Sequence, residues 1–323
     1  MAFPVQRPRR LRRNETIRSM VRENCLSPSN LIYPLFVVHG KGVRREIEAM
    51  PGSYHFSVDK LGDEVKEISD LGIPAVLLFG IPKSKDPMAS EAYASDGIVQ
   101  RAIQEIKSRS PETVVITDVC LCEYTEHGHC GIVENGYLVN DKSLELIEKV
   151  TLSHAMAGSD MMAPAAMLDG QIKAMRTVLD QNGFSERAIM AYSVKYASRL
   201  YDIFFKHGTG GVLAFGDKKT HQMDFANSDE AVREIALDIE EGADIVMVKP
   251  AMFYLDIVYR ISTGFNVPLA VYNVSGEYAM IKQAVKAGQV DDNEIQREIM
   301  TAFRRAGADL IITYHAREIA RLL

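Results

Sequence analysis

What this chain lacks narrows its reading before any motif is considered. No apolar run approaches the roughly 18 residues that cross a bilayer, and none near the start has the shape of a signal-peptide h-region. The sequence therefore reads as a soluble, cytoplasmic protein with no membrane partner. Positive charge is not in excess: the formal net charge is −6, which argues against a nucleic-acid partner. The one basic concentration is Arg7, Arg9, Arg10, Arg12 and Arg13, soon followed by Glu15 and Glu23. It reads as an N-terminal arm that packs on a neighbouring subunit. No Pro/Gly/Ser-rich linker and no low-complexity segment divides the 323 residues. One domain is expected over 31–323, preceded by an arm over 1–30. Cysteines number four, and three of them lie within eleven residues. Without a signal sequence, that clustering favours metal binding or catalysis over a disulfide framework. Cys25 stands alone and reads as a small buried side chain.

What is present is regular. Eight short runs rich in Val, Ile, Leu and Met do not alternate with polar residues: Leu31–Val38, Ala75–Ile81, Thr113–Cys120, Met161–Ala166, Ala188–Ala197, Asp244–Pro250, Pro268–Val274 and Leu310–His315. Strands buried on both faces of a parallel sheet read this way. Between most of them lie stretches with apolar residues at three- and four-residue spacing, such as Asp59–Leu71, Gly97–Arg109, Asp141–Ala157, Ser228–Glu241 and Asp292–Ala306. Three helix-to-strand junctions nearly repeat, Ala157-Gly-Ser-Asp160, Glu241-Gly-Ala-Asp244 and Ala306-Gly-Ala-Asp309. A glycine just past each helix is a C-terminal stop signal. The α/β alternation with eight strands predicts a (β/α)8 TIM barrel with an extended N-terminal arm.

A barrel predicts its chemistry at the C-terminal ends of strands. Asp118 and Cys120, Lys195, Lys249, Ser275 and Tyr314 stand there, on five different strands. Lys195 and Lys249 each close an apolar run. A lysine in that position is costly unless it has a task, and two at equivalent positions are expected to face one another across the barrel mouth. Each cation would lower the other's pKa and free an amine for nucleophilic attack. The bland alternative is a salt-bridged lysine at a strand edge. The segment Asp118-Val-Cys120-Leu-Cys122 runs into a polar loop that ends at His127, His129 and Cys130. Three thiolates suit Zn²⁺ and leave a fourth position open for water or substrate, the mark of a catalytic site. His127 or His129 could instead fill that position. Asp118 reads as a hydrogen-bond acceptor behind a metal ligand, a general base or a plain cap.

Together these residues resemble the porphobilinogen synthase (5-aminolevulinate dehydratase) family, in its zinc-dependent bacterial type. The resemblance runs through Tyr33-Pro-Leu-Phe36, the cysteine loop, Ser193-Val-Lys195-Tyr-Ala-Ser198, Gly216-Asp217, Lys219-Thr220, Gln222-Met-Asp224, Met247-Val-Lys249-Pro250, Val274-Ser-Gly-Glu-Tyr278 and Arg305-Ala-Gly-Ala-Asp309. It implies condensation of two 5-aminolevulinate molecules to porphobilinogen with loss of two waters, a step of tetrapyrrole biosynthesis. By position, Lys249 would form a Schiff base with the first substrate and Lys195 with the second. Zn²⁺ on Cys120, Cys122 and Cys130 would polarise the second substrate's carbonyl. Asp118 would contact the first substrate's amino group. Ser275 and Tyr314 would hold the first substrate's carboxylate, and Gln222 the second's. Glu234 falls where some members bind an activating Mg²⁺. The resemblance also implies a homo-octamer of arm-exchanged dimers.

The departures cluster on the second-substrate side. Where the family has an arginine about ten residues after the first lysine, this chain has Phe205 or, allowing one gap, Lys206, with Phe204 beside them. A second arginine is replaced by Lys218, a tyrosine by His221 and a serine by Ala165. Arginine offers a carboxylate a planar bidentate fork, whereas lysine offers a point charge. Losing one such pair costs about 1.5–3 kcal/mol of binding. The expectation is Schiff-base chemistry with weakened second-substrate affinity, under a lid formed by Lys206–Phe215. Two other readings stay open. One is a Schiff-base barrel acting on a related keto acid, which the three cysteines disfavour. The other is a non-catalytic paralogue, which the retention of both lysines disfavours.

Overall fold

The computed structural model describes residues 4–323. Eight parallel strands close on themselves: Leu31–Val38, Ala75–Ile81, Val114–Val119, Met161–Pro164, Ala188–Lys195, Ile245–Lys249, Leu269–Asn273 and Leu310–Thr313. Each pairs with its neighbour in sequence, and the last returns to the first through Leu31↔Ile311 and Ile32↔Ile312. Helices lie between successive strands, and a further helix, Ala316–Leu322, follows the last. The (β/α)8 barrel expected from the sequence is the fold. The closed ring leaves no strand edge unpaired, and its C-terminal rim collects eight loops over one mouth.

The near-continuous apolar strands are explained by two core layers. In the first strand Ile32 and Phe36 belong to the interior core, while Leu31, Tyr33, Leu35 and Val37 pack outward against the helices. Both parities must be apolar because both faces are covered. The three repeated junctions lock the bottom of the barrel. Gly158, Gly242 and Gly307 end their helices at φ near +106 to +109°, backbone that only glycine adopts without strain. The aspartate two residues on reaches the neighbouring strand each time. Asp160 Oδ2 accepts from Val115 N at 2.8 Å, Asp244 Oδ2 from Ile189 N at 2.8 Å and Asp309 Oδ2 from Leu269 N at 3.0 Å. Each carboxylate satisfies a donor that the start of a strand would otherwise leave orphaned.

The sequence reading did not anticipate a short antiparallel pair, Arg44–Glu46 with Tyr54–Ser57. The second of these joins the upper edge of the first barrel strand through Phe36↔His55. Residues 4–30 form three short helical turns, Pro8–Arg12, Glu15–Met20 and Pro28–Asn30, none with a buried residue. Cys25 is accordingly exposed and not buried as expected, because the segment that carries it lies on the surface of the chain.

Candidate active site

The barrel mouth holds a cavity of about 280 Å³. Its lining includes Asp118, Cys120, Cys122, Lys195, Gln222, Lys249, Ser275 and Tyr314. Lys195 and Lys249 are both buried and pair in register on adjacent strands. They stand side by side, where the sequence had suggested that they face each other across the mouth. Their alignment depends on an irregularity in the fifth strand. Val246 pairs with Ala191 but Val248 with Val194, so one extra residue sits in the fifth strand. That bulge flips the phase of the strand. Tyr192 and Lys195 therefore both reach the interior, whereas strict alternation would drive Lys195 into the helix layer.

The two amines differ in their surroundings. Lys249 Nζ lies in a box of rings, 4.3 Å from the centroid of Tyr272, 4.8 Å from Tyr192, 5.2 Å from Tyr201 and 5.6 Å from Phe204. Burial, and then the charge of Lys195, bring its pKa down to about 7. Burial also pulls the Lys195 amine down, but the charges of Cys130, Cys120 and Cys122 overcome this and leave it raised. Mutual lowering thus holds for Lys249 alone. Lys195 Nζ donates to the Ala165 carbonyl and not to a carboxylate. Asp118 is raised above the usual carboxylate range by burial and by the charge of Glu123, against the pull of both lysines.

The third strand ends at Val119, and the chain then turns through Leu121–Thr125 by backbone bonds from Tyr124 N and Thr125 N to the Leu121 carbonyl. This turn brings Cys120 and Cys122 together with Sγ atoms 3.4 Å apart, and Cys130 joins them. The three sulfurs lie within 4.8 Å of one another and are buried. Tetrahedral zinc with Zn–S bonds near 2.3 Å separates its sulfurs by about 3.8 Å, so these residues fit such an ion. Hydrogen bonds from Cys120 and Cys122 hold the Cys130 thiol well below its usual pKa, aided by the charges of Lys218 and Lys195. Hydrogen bonds with Cys122 and Cys130, and then burial, push the Cys120 thiol well above its usual pKa, so Cys130 is the member biased toward a metal-binding thiolate. Neither histidine joins it. His127 Nδ1 accepts from His129 N at 3.1 Å, and His129 Nε2 lies 3.0 Å from the Phe215 carbonyl.

The remaining expected contacts separate into those that line the cavity and those that do not. Ser275 Oγ accepts from Phe204 N at 2.9 Å and faces the Leu200 carbonyl at 3.3 Å. The Tyr314 and Tyr272 hydroxyls are 2.9 Å apart. Phe204 and Phe205 line the cavity from a π-helical turn, Phe204–Gly208, that leaves Lys206 exposed and outside the lining. Lys206 is thus not brought to the site, because the turn aims the two phenyl rings inward in its place. Lys218 does line the cavity, but its Nζ is directed at Cys130 Sγ, 3.5 Å away, and over the Phe205 ring at 4.5 Å. His221 is not in the lining, and Ala165 is. Glu234 lies on the Asp229–Glu241 helix, away from the cavity, among the charges of Asp169, Glu230 and Glu241. The segment 206–215 is tied to its surroundings through Gly208 O to His55 Nε2 at 2.6 Å and Ala214 N to His127 O at 3.2 Å.

Residues that shape the site also escaped the sequence, among them Tyr192 beside the Lys249 amine and three that line the cavity, Tyr272, Arg199 and Glu123. Tyr192 and Tyr272 read as ordinary apolar strand residues. Arg199, in the lining of the mouth, had no spacing to mark it. Glu123 had a usable signal, an acid directly after the second cysteine of the cluster.

The model of the family described as "Delta-aminolevulinic acid dehydratase" matches residues 5–322. A protein of that name from Methanothermus sociabilis is 53% identical, covering 99% of each chain. One from Synechococcus elongatus is 51% identical, also covering 99% of each. The crystal structure of delta-aminolevulinic acid dehydratase (porphobilinogen synthase) from Toxoplasma gondii, in complex with the reaction product porphobilinogen, superposes with a TM-score of 0.96 at 42% identity. The match covers 99% of this chain and 92% of that one.

Proposed function

The chain belongs to the delta-aminolevulinic acid dehydratase family, the porphobilinogen synthases, and from that premise we propose that it condenses two 5-aminolevulinate molecules to porphobilinogen through Schiff bases on Lys249 and Lys195. One observation carries this reading. Two buried lysines, paired in register, line one cavity with Cys120 and Cys122, whose sulfurs lie within 4.8 Å of that of Cys130.

Lys249 acts first. With a pKa of about 7, its amine is unprotonated in about half of the molecules at neutral pH. Attack on the ketone carbon of the first substrate forms a carbinolamine, and expulsion of water leaves an imine. When protonated, the imine is a cation, and the four surrounding rings stabilise it through their π faces. The iminium draws electrons from the adjacent carbon, so that a proton there can be removed. Asp118 lies within the charge field of both lysines and is placed to meet the first substrate's ammonium and to carry protons. Ser275 and Tyr314 hold that substrate's carboxylate, and Gln222 receives the second's. Lys195, whose pKa the cysteine charges raise, first gives up a proton and then forms the second imine with loss of water. Holding both imines side by side converts a bimolecular condensation into an effectively unimolecular one. Zn²⁺ held by Cys120, Cys122 and Cys130 would supply Lewis-acid polarisation of the second substrate's carbonyl. Mg²⁺ at Glu234 rests on position alone. An assembled form, the octamer of arm-exchanged dimers, is supported by the unburied arm, whose Val5, Leu11, Met20 and Val21 are exposed.

Borohydride reduction in the presence of 5-aminolevulinate tests the proposal. Peptide mass spectrometry is expected to find the reduced adduct on Lys249, and Lys249→Gln to abolish it there. Failure to trap an adduct on either lysine would point to the non-catalytic paralogue.

A further inference from the structure

A substrate held at Lys195 needs a cation for its carboxylate, and the positions where the family carries its second-side arginines do not supply one here. Phe205 puts a ring at one of them, seated so closely that a Cβ on Gly211 or Gly128 would come within 2.6 or 2.9 Å of it. Lys206 is exposed and outside the lining. Lys218 is drawn to Cys130 Sγ at 3.5 Å and over the Phe205 ring at 4.5 Å. Lys195 and Lys249 are taken up by the imines, and Gln222 offers an amide without charge. Of the cations in the cavity lining, Arg199 and Lys219 are left. Arg199 Nη1 stands 4.0 Å from Asp202 Oδ2, with its side chain 95% exposed. So exposed an ion pair is worth little and exchanges readily for a ligand. Lys219 is fixed through its backbone, whose N–H donates to Asp217 Oδ1 at 3.0 Å, while its ammonium has no partner among the described residues.

We propose that Arg199 and Lys219 bind the second substrate's carboxylate in this chain, so that its charge is met at the rim of the mouth and not by the arginines of the family. This inference rests on the reading of Lys195 as the second imine-forming lysine. In 5-aminolevulinate two methylenes separate the ketone from the carboxylate. With the ketone carbon on the buried Lys195 amine, the tail extends past Phe205 and Gln222 toward the mouth. Arg199 presents the planar fork that two carboxylate oxygens match, which neither Lys206 nor Lys218 can offer, and Lys219 adds a point charge. A carboxylate held by exposed cations is screened by salt far more than one held by an enclosed clamp. Second-substrate binding in this chain is therefore salt-sensitive.

Borohydride trapping with peptide mass spectrometry reads each lysine separately, in the full-length protein and in its Arg199→Gln, Lys219→Gln and doubly substituted forms. Two probes are compared: 5-aminolevulinate, and aminoacetone, which has the same aminoketone head and no carboxylate. The double variant is expected to need about tenfold more 5-aminolevulinate to half-saturate Lys195, the low end for losing a charged hydrogen-bonded pair. Aminoacetone at Lys195 and 5-aminolevulinate at Lys249 are expected to half-saturate as in the wild-type protein, and trapping at Lys249 shows that each variant is folded. Arg199→Lys should keep part of the affinity. Added salt should weaken 5-aminolevulinate at Lys195 in the wild-type protein and not in the double variant. An unchanged half-saturation at Lys195 in the double variant would overturn the role of the two cations and leave the Schiff-base reading standing. An equal loss for both probes would overturn it as well, since a general disturbance of the mouth acts on both. A wild-type protein that traps no adduct on Lys195 would instead overturn the second imine, and this inference with it.

Discussion

At the residue scale, the division of labour between two lysines comes from what surrounds each amine. Lys249 sits among aromatic rings, and burial and the charge of Lys195 bring its pKa down to about 7 against the pull of Asp118 and Glu123. Lys195 stands near three thiols, whose charge works in the opposite direction. The sign of the pH dependence follows. A protonated amine cannot attack a ketone, so imine formation at Lys249 should rise as pH passes upward through about 7 and then level off. An ordinary lysine would keep rising toward pH 10.5. The initial rate of borohydride-trapped adduct at Lys249, followed across the neutral range, checks this, and a rate still climbing well into alkaline solution would refute it. Folding stability carries the same sign. Between the folded and unfolded pKa values of Lys249 the unfolded chain binds more protons, so this group favours folding increasingly as pH rises through that window. Both lysines and all three clustered cysteines could be read from the sequence, because an ionisable residue ending an apolar strand is conspicuous. Tyr192 and Tyr272 could not, because a tyrosine in a strand looks like core until the barrel closes around it.

At the scale of elements, the site depends on how strand ends are pinned. Glu277, fully buried at the start of the Ser275–Lys286 helix, collects four donors: Met252 N at 2.7 Å, Val274 N at 2.9 Å, Asn273 Nδ2 at 2.9 Å and Ala251 N at 3.1 Å. It thus ties the loop that follows Lys249 to the strand end that carries Ser275. Burial raises its pKa to about 7 against the pull of those hydrogen bonds. Glu277→Ala would orphan four buried donors and should destabilise the fold by about 3–5 kcal/mol. Denaturant unfolding measures this, and a loss under about 1 kcal/mol would show that the tie is dispensable. The strands were legible almost to the residue. Leu31–Val38 and Ala75–Ile81 keep their expected bounds, and Thr113–Cys120 contracts by one residue at each end because Cys120 leaves the ladder to enter the metal loop. The fifth-strand bulge and the π-helical turn at Phe204–Gly208 were not legible. Both are departures from a period, and a periodic reading averages over them. The Arg44–Glu46 and Tyr54–Ser57 pair escaped for another reason: its first strand is wholly exposed and polar.

At the scale of the whole molecule, one rim of a closed barrel gathers side chains from five strands over a single cavity, while the opposite end is held by the repeated glycine–aspartate junctions. Stability and chemistry are thus placed at opposite ends. Within one chain the arm's helical turns bury none of their residues, and its ties to the barrel include Leu26, which packs against the outer core, and Asn30 Nδ2, which donates to the Asp309 carbonyl at 3.0 Å. Its exposed Val5, Leu11, Met20 and Val21 are expected to be covered by neighbouring subunits. A chain lacking residues 1–24 should then sediment as a smaller species than the full protein and keep a native far-ultraviolet spectrum; unchanged assembly would remove the arm from that role. The central claim is that paired lysines and a three-cysteine metal site together perform the condensation. Its most direct test is the formation of porphobilinogen from 5-aminolevulinate by purified protein, assayed with a zinc chelator and again after zinc is restored. Turnover that the chelator stops and zinc recovers is the expected result. No turnover at saturating substrate with zinc present would contradict it.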